Sequence, residues 1–215
     1  MTALLHIDAS ARKERSISRA LGETFKHQWL SVKPADRFIY RDIGCTPPDF
    51  ISESWIAAVF TPEEKRTDEQ NLLLALSDVL IEELSEADVI IITTPMYNYG
   101  MPASLKAWID QVVRVNKTFT FDLNRGDFPL EPTLSGKSLV LLTSCGEFGF
   151  GENGTREDMN HLGPHIRTVS KYLGVDEVYE ISIEYQEFGD NRHKRSIESA
   201  YESIPGMIKS IAKNT

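Results

Sequence analysis

One ten-residue segment concentrates side chains that could bind a flat organic ligand. Residues 93–102 read TTPMYNYGMP and lie between an apolar run and an amphipathic helical pattern. In a parallel α/β sheet, ligands bind beyond the carboxyl ends of the strands, which is where this segment falls. Its amides, tyrosines and asparagine suit a flat ring with polar edges, such as a flavin; an ordinary strand-to-helix turn is the alternative. The candidate ring-binding residues are Pro95, Met96, Tyr97, Asn98 and Tyr99.

A second segment follows the first apolar run and carries hydroxyl groups at the start of a helical pattern. Ser10 is followed by Ser16, Ile17 and Ser18. Unpaired N–H groups and the helix dipole make a helix N-terminus an anion site, so these residues would suit a phosphate monoester. A simple N-cap role for Ser16 or Ser18 is the alternative. Nearby arginines, Arg12 and Arg15, would either add charge to a phosphate site or solubilise the loop.

A third segment, residues 143–154, follows another apolar run and is rich in glycine, which allows close approach of the backbone to a ring edge. The segment includes Ser144, Cys145, Gly146 and Glu147, and a flexible surface loop is the alternative. The three segments together offer a phosphate pocket, a ring-binding segment and an amide-rich edge, which are the parts of FMN in order. Neither a P-loop nor a GxGxxG fingerprint is present, which disfavours a nucleoside triphosphate or a Rossmann-bound NAD.

The segments must be positioned by a sheet, and the hydrophobic pattern predicts one. Apolar runs at residues 4–9, 89–92, 138–143 and 178–183 are each followed by a helical pattern, and residues 37–41 alternate as an edge strand would. We expect an α/β fold: a flavodoxin-like, doubly wound, five-stranded parallel sheet of order 2-1-3-4-5 with helices on both faces. Residues 1–215 read as one domain.

The helical pattern after the ring-binding segment begins at Ala103 and places its apolar residues on one face. Lys106, Asp110 and Arg114 are predicted to face outward. Two segments, residues 44–67 and 117–134, carry more apolar residues than a solvated loop needs, so each is a candidate lid or subunit interface, or pads the core locally.

Composition narrows the classes of partner. With 215 residues and a formal net charge of −9, the chain is not expected to bind nucleic acid or an anionic membrane. It shows neither a signal-peptide pattern nor an apolar run long enough to span a membrane. Its two cysteines form no CxxC pair, which indicates a reducing compartment, and we expect a cytoplasmic protein. His161 and His165 lack a third ligand, so no metal site is expected.

The sequence resembles the FMN-dependent NADH-azoreductases, a flavodoxin-like family that also reduces quinones. The resemblance extends through nearly the whole chain, and its most specific part is the block PMYNYGMPASLKAWID at residues 95–110. Other matching positions are Ser10, residues 16–18, 117–119, 144–146 and 172–174.

The resemblance implies a homodimer with one FMN per subunit and NADH as the electron donor. It implies that Ser10 and residues 16–18 bind the phosphate, that residues 96–99 lie along the isoalloxazine, and that residues 144–147 lie at its pyrimidine edge. Tyr99 and Phe121 would line the substrate side, Phe121 from the partner subunit. The family pattern has glycine where this chain has Glu147, whose side chain could clash and whose charge would disfavour an anionic reduced ring.

The activity that the resemblance implies is two-electron, ping-pong reduction of quinones to hydroquinones and reductive cleavage of aromatic azo compounds. No side chain is identified as a catalytic acid or base. A flavodoxin-type electron-transfer protein is the alternative, and a flavin-free binding module with the same fold is the third hypothesis. Reduction of bound flavin by NADH separates them.

Overall fold

The computed structural model describes residues 1–213 and contains a five-stranded, fully parallel sheet. The strand order is β2-β1-β3-β6-β7, which confirms the predicted order 2-1-3-4-5, since β6 and β7 are its fourth and fifth strands in the chain. β2 is an edge strand, as its alternating sequence predicts. The sheet strands are β1 (Ala3–Asp8), β2 (Arg37–Asp42), β3 (Val89–Pro95), β6 (Lys137–Ser144) and β7 (Val175–Ile183).

Helices cover both faces of this sheet because its central strands are apolar on both sides. In β3, Ile90 and Ile92 pack toward α3, α4 and α5, whereas Val89 and Ile91 pack toward α1 and α6. This two-residue alternation is the geometry of a strand buried on both faces. The helices are α1 (Ile17–Val32), α2 (Glu53–Phe60), α3 (Asp68–Glu86), α4 (Ala103–Val112), α5 (Gly163–Ser170) and α6 (Asn191–Ile211).

The two apolar segments outside the minimal fold have structure of their own. Residues 44–67 contain α2, whose Trp55 and Val59 are buried while Phe60 is exposed. Residues 117–134 contain an antiparallel hairpin of β4 (Phe119–Phe121) and β5 (Leu130–Pro132), separate from the main sheet. Both segments therefore leave apolar side chains in solvent, and no helix among the described residues has the length and apolar character needed to span a membrane.

The prediction that Arg114 faces outward is wrong. Its side chain, just beyond the last residue of α4, is 1% exposed and points at α3. Nη1 donates to Ser77 Oγ at 2.7 Å, and Nη2 pairs with the carboxylate of Asp78. The helical pattern of α4 does not reveal these partners because they lie on another helix.

Candidate functional site

A cavity of about 150 Å³ lies at the carboxyl ends of β1, β3 and β6 and collects residues from all three predicted segments. Its position is the crevice where chain order reverses in a doubly wound sheet, the usual ligand site of such folds. The residues that line it are Ser10, Arg12, Arg15, Ser16, Ile17, Pro95, Met96, Tyr97, Ser144, Cys145, Gly146, Gln186 and Glu187.

One end of the cavity is an anion-binding arrangement at the start of α1. Ser16 is the N-cap, and its Oγ accepts from Arg19 N at 3.3 Å, so the N-cap interpretation holds for this residue. The first-turn N–H groups of Ile17 and Ser18 have no acceptor within the helix. The guanidinium groups of Arg12 and Arg15 make no ion pair with any other residue in the range 1–213. This end of the cavity therefore combines uncommitted donors with two free positive charges.

The ring-binding segment forms a tight turn beside the cavity. Tyr97 N donates to Gly100 O at 2.9 Å, and Gly100 N donates to Tyr97 O at 3.0 Å. The two central residues, Asn98 and Tyr99, have φ values of 47° and 66°, the left-handed conformation that costs most residues free energy. Tyr99 O accepts from His161 N at 2.9 Å, which helps to fix the turn.

The loop after β6 is fixed to the loop after β7 by backbone hydrogen bonds. Tyr185 N donates to Glu147 O at 2.8 Å, Gln186 N to Cys145 O at 3.2 Å and Glu187 N to Gly146 O at 3.0 Å. The two loops thus form one unit, and the loop after β7 supplies part of the cavity wall. Sequence reasoning missed Gln186 and Glu187; their only signal was their position immediately after the last strand.

The thiol of Cys145 is not a reactive nucleophile. It is buried, and its Sγ lies 3.4 Å from Glu147 O. Burial, together with the carboxylates of Glu184 and Glu147, raises the pKa of Cys145 to about 12. The thiol is therefore neutral at physiological pH.

The backbone at Glu147 does not have the positive φ that would favour glycine. Glu147 therefore lies at a position that does not require glycine. Its Oε1 lies 3.5 Å from Nε of Arg156, whose guanidinium also lies 4.3 Å from the ring centre of Phe148. The charge of Glu147 therefore has a counter-charge in the same loop.

Several predicted site residues lie outside the cavity wall. Ser18 is fully buried, with its Oγ 3.3 Å from that of Ser16. Asn98, Tyr99 and Glu147 are in the adjoining turn and loop. Phe121 lies on the β4–β5 hairpin, 53% exposed, and lines a different cavity of about 550 Å³ with residues of α2 and the segment after it. Within one subunit, the structure does not bring Phe121 to the first cavity.

The two histidines noted in the sequence are not part of a metal cluster. His161 is exposed and contributes its backbone N–H to the turn, while His165 lies in α5. Within residues 1–213 no group of three His, Cys, Asp or Glu side chains could hold a metal ion.

The strand order and the crevice cavity define a protein of the flavodoxin-like class, and a family model described as "Flavodoxin-like fold" matches residues 2–205. The azoreductase of Bacillus anthracis str. Sterne has the same fold, with a TM-score of 0.86 at 20% identity over 98% of this chain and 100% of that one.

Curated relatives narrow the class to a particular family. The chain is 58% identical to "FMN-dependent NADH:quinone oxidoreductase 2" of Colwellia psychrerythraea over 98% of this chain and 100% of that protein. It is 56% identical to a protein of the same name from Idiomarina loihiensis over 100% of this chain and 92% of that protein. The chain belongs to the family of FMN-dependent NADH:quinone oxidoreductases.

Proposed function

We propose that this chain is an FMN-dependent oxidoreductase that takes electrons from NADH and reduces quinones to hydroquinones. The observation that carries the proposal is the cavity, which has free positive charge and open amides at one end and the tyrosine-rich turn at the other. FMN has a phosphate at one end and a flat ring at the other. The name that both relatives carry supports the same cofactor and donor.

The residues present fit the parts of FMN. Ser10, Ser16 and the amides of Ile17 and Ser18, with Arg12 and Arg15, would bind the phosphate. The backbone from Pro95 to Tyr99 would lie along the ring, and residues 144–147 at its pyrimidine edge. Bound FMN would supply two-electron transfer from NADH to the acceptor. The protein's own part would be to orient the ring, and Cys145, whose thiol is uncharged, would not act as a nucleophile there.

NADH and the acceptor would bind in turn at one open face beside Tyr97 and Tyr99, both of which are about 40% exposed. A single face shared by donor and acceptor requires a ping-pong order, because the first product must leave before the acceptor binds. Aromatic azo compounds are flat and would fit the same face. Their cleavage to two amines would take two rounds, whereas a quinone takes one.

The site would be completed in a homodimer that holds one FMN per subunit. The cavity of about 150 Å³ is smaller than the 300–1,000 Å³ or so of typical ligand pockets, so one subunit would enclose only part of FMN and a second subunit would cover the ring. Many exposed apolar residues of one subunit lie in α2 and the residues just before it, in α3 and in the β4–β5 hairpin, which is typical of an interface. They include Phe50, Phe60, Leu72, Leu76, Val79, Leu123 and Phe128.

We also propose a cytoplasmic location. The cysteines of the chain, Cys45 and Cys145, are both free thiols, and Cys45 is exposed. A reducing compartment keeps such a thiol unmodified.

An anaerobic titration tests the proposed activity. The protein is reconstituted with FMN and titrated with NADH while the visible absorption of the flavin is followed, and a quinone is then added. Full bleaching by NADH that the quinone reverses is the expected result. Flavin that binds but stays oxidised would indicate an electron-transfer protein, and absence of bound flavin would indicate a binding module; either result refutes the proposal.

Subunit complementation tests the role of Phe121. One variant carries Arg12→Glu and Arg15→Glu, and the other carries Phe121→Ala; each should be weakly active alone. In a mixed dimer, the site with intact arginines faces an intact Phe121 from the partner subunit. After subunit exchange at equal amounts, activity should recover to about a quarter of wild type, since half the dimers are mixed and each has one intact site. No recovery after verified exchange would exclude a cross-subunit role.

A further inference from the structure

A partly buried charge cluster lies next to Ser10 and Arg12 of the cavity wall, and Arg19 is at its centre. Its side chain is 12% exposed and does not line the cavity. Nη1 donates to Asp8 Oδ2 at 3.0 Å, and Nη2 donates to Asp42 Oδ1 at 2.6 Å. Asp8 and Asp42 are register partners at the ends of the neighbouring strands β1 and β2, so the sheet fixes the two carboxylates that hold the guanidinium.

Arg19 also holds the backbone of the phosphate loop. Nη2 donates to Ser10 O at 2.7 Å, and Nε donates to Arg12 O at 2.9 Å. Because each peptide unit is planar, with its C=O and N–H on opposite sides, two anchored carbonyls fix the orientation of two peptides. The same contacts place Ser10 and Arg12, whose side chains line the cavity.

The charges of the cluster are permanent at physiological pH. Burial alone would raise the pKa of Asp8, but the surrounding polar groups of His6, Thr93 and Tyr40 lower it to about 2. Burial alone would lower the pKa of Arg19, but its hydrogen bond to Asp42 and the charges of both aspartates raise it above its usual range. Arg19 is committed to protein groups, whereas Arg12 and Arg15 are free for a ligand.

We propose that Arg19 is the positioning residue of the phosphate loop, holding it in its binding conformation before the phosphate arrives. The proposal rests on the proposed binding of FMN and adds a residue that would act through Ser10 and Arg12 rather than on the cofactor. A loop ordered in advance loses less entropy on binding. Lysine cannot replace Arg19, because a single ammonium lacks the planar fork that reaches two carboxylates and two carbonyls at once.

The test compares FMN with riboflavin, which has the same ring and no phosphate. Dissociation constants are measured by quenching of flavin fluorescence for wild type, Arg19→Lys and Arg19→Met. Loss of loop order should weaken FMN binding roughly tenfold or more, on the scale of a lost charge-assisted contact. Riboflavin affinity should change less than about twofold, because the ring segments do not contact Arg19.

Arg41→Met is the matched control. Arg41 lies in β2, next to Asp42, and makes a two-point ion pair whose partner is Glu83 of α3. The substitution removes the same charge as Arg19→Met and leaves the loop contacts in place, so the ratio of FMN to riboflavin affinity should match wild type. Circular dichroism verifies folding, and Arg19→Lys keeps the charge should Arg19→Met fail to fold.

The outcomes separate the two proposals. If the ratio of FMN to riboflavin affinity in Arg19→Lys equals that of wild type, the proposed role of Arg19 is overturned and the proposed function still stands. An equal loss of affinity for both flavins also overturns it, because that result indicates general packing. A wild-type protein that binds neither flavin overturns the proposed function and the role of Arg19 with it.

Discussion

Deleting one oxygen atom between α3 and α4 should cost this protein a large part of its stability. Ser77 is fully buried, and its Oγ accepts from Arg114 Nη1 at 2.7 Å while donating to Gln111 O at 2.6 Å. Ser77→Ala removes both hydrogen bonds and leaves part of a buried guanidinium unsolvated. The side chain of Gln111 in turn binds Trp55 Nε1 and Asp49 O, so this polar chain also holds the segment around α2.

The magnitude follows from the two bonds. A hydrogen bond to a charged group contributes about 1.5–3 kcal/mol and a neutral one about 1 kcal/mol, so Ser77→Ala should lower the free energy of unfolding by about 3 kcal/mol. In an Arg114→Met background only the neutral bond to Gln111 is lost, at about 1 kcal/mol. The double-mutant cycle should therefore give a coupling energy of about 2 kcal/mol between Ser77 and Arg114.

Urea denaturation at pH 7, followed by circular dichroism at one fixed protein concentration, measures these values. The control is Ser85→Ala, also in α3, whose Oγ donates only to Ile81 O of its own helix at 2.7 Å. It should cost less than about 1 kcal/mol. A coupling energy below about 0.5 kcal/mol would refute the reasoning, because it would mean that Arg114 is satisfied without Ser77.

Three further predictions follow from particular residues. Gly174 has a φ of 82°, and a Cβ there would lie 2.6 Å from Leu134 Cβ, so Gly174→Ala should lower the free energy of unfolding by about 2–3 kcal/mol. Gly189 has a φ of 59° and open space around it, so Gly189→Ala should lower it by only about 1 kcal/mol in the same urea assay. The pKa of Asp8 is lowered from 3.8 to about 2, so its contribution of about 2 kcal/mol is present above pH 4 and is lost as the pH falls toward 2. Urea midpoints of wild type and Asp8→Asn should therefore converge over that range, and a constant difference would contradict the assignment. Glu147→Gly should raise the reduction potential of bound flavin, because it removes a negative charge from the loop proposed to lie at the pyrimidine edge of the ring; an unchanged potential in an anaerobic dye-equilibration titration would contradict it.

The sheet could be predicted because its strands are apolar on both faces, a pattern that a short sequence window contains. The start of α4 could be predicted for a similar reason, since Pro102 and the spacing of Leu105, Trp108 and Ile109 lie within one window. The burial of Arg114 could not, because its partners are in α3, more than 30 residues away. The β4–β5 hairpin escaped prediction because its strands have three residues each, too few to show a period.

In the candidate site, too, features within one sequence segment could be predicted and features that depend on distant contacts could not. Residues such as Met96 and Ser144 lie at the carboxyl ends of recognisable strands, so strand order alone places them together. Gln186 and Glu187 depend on the backbone pairing of two loops, which no local pattern indicates. The role of Arg19 was equally hidden, because its sequence position suggests one more charge near a helix start, whereas its contacts join two strand ends to a loop.

The distribution of charge, rather than the total, decides which anion this protein can bind. A formal net charge of −9 disfavours extended polyanions, whose many phosphates interact with the whole surface. A single phosphate in a cavity interacts mainly with groups within about 10 Å, the Debye length at 0.1 M salt. There the aspartates of β1 and β2 are neutralised in part by Arg19, which leaves Arg12 and Arg15 unpaired at the cavity wall. An acidic chain can therefore hold one dianionic phosphate, because Arg19 pairs with Asp8 and Asp42 and leaves Arg12 and Arg15 for the phosphate.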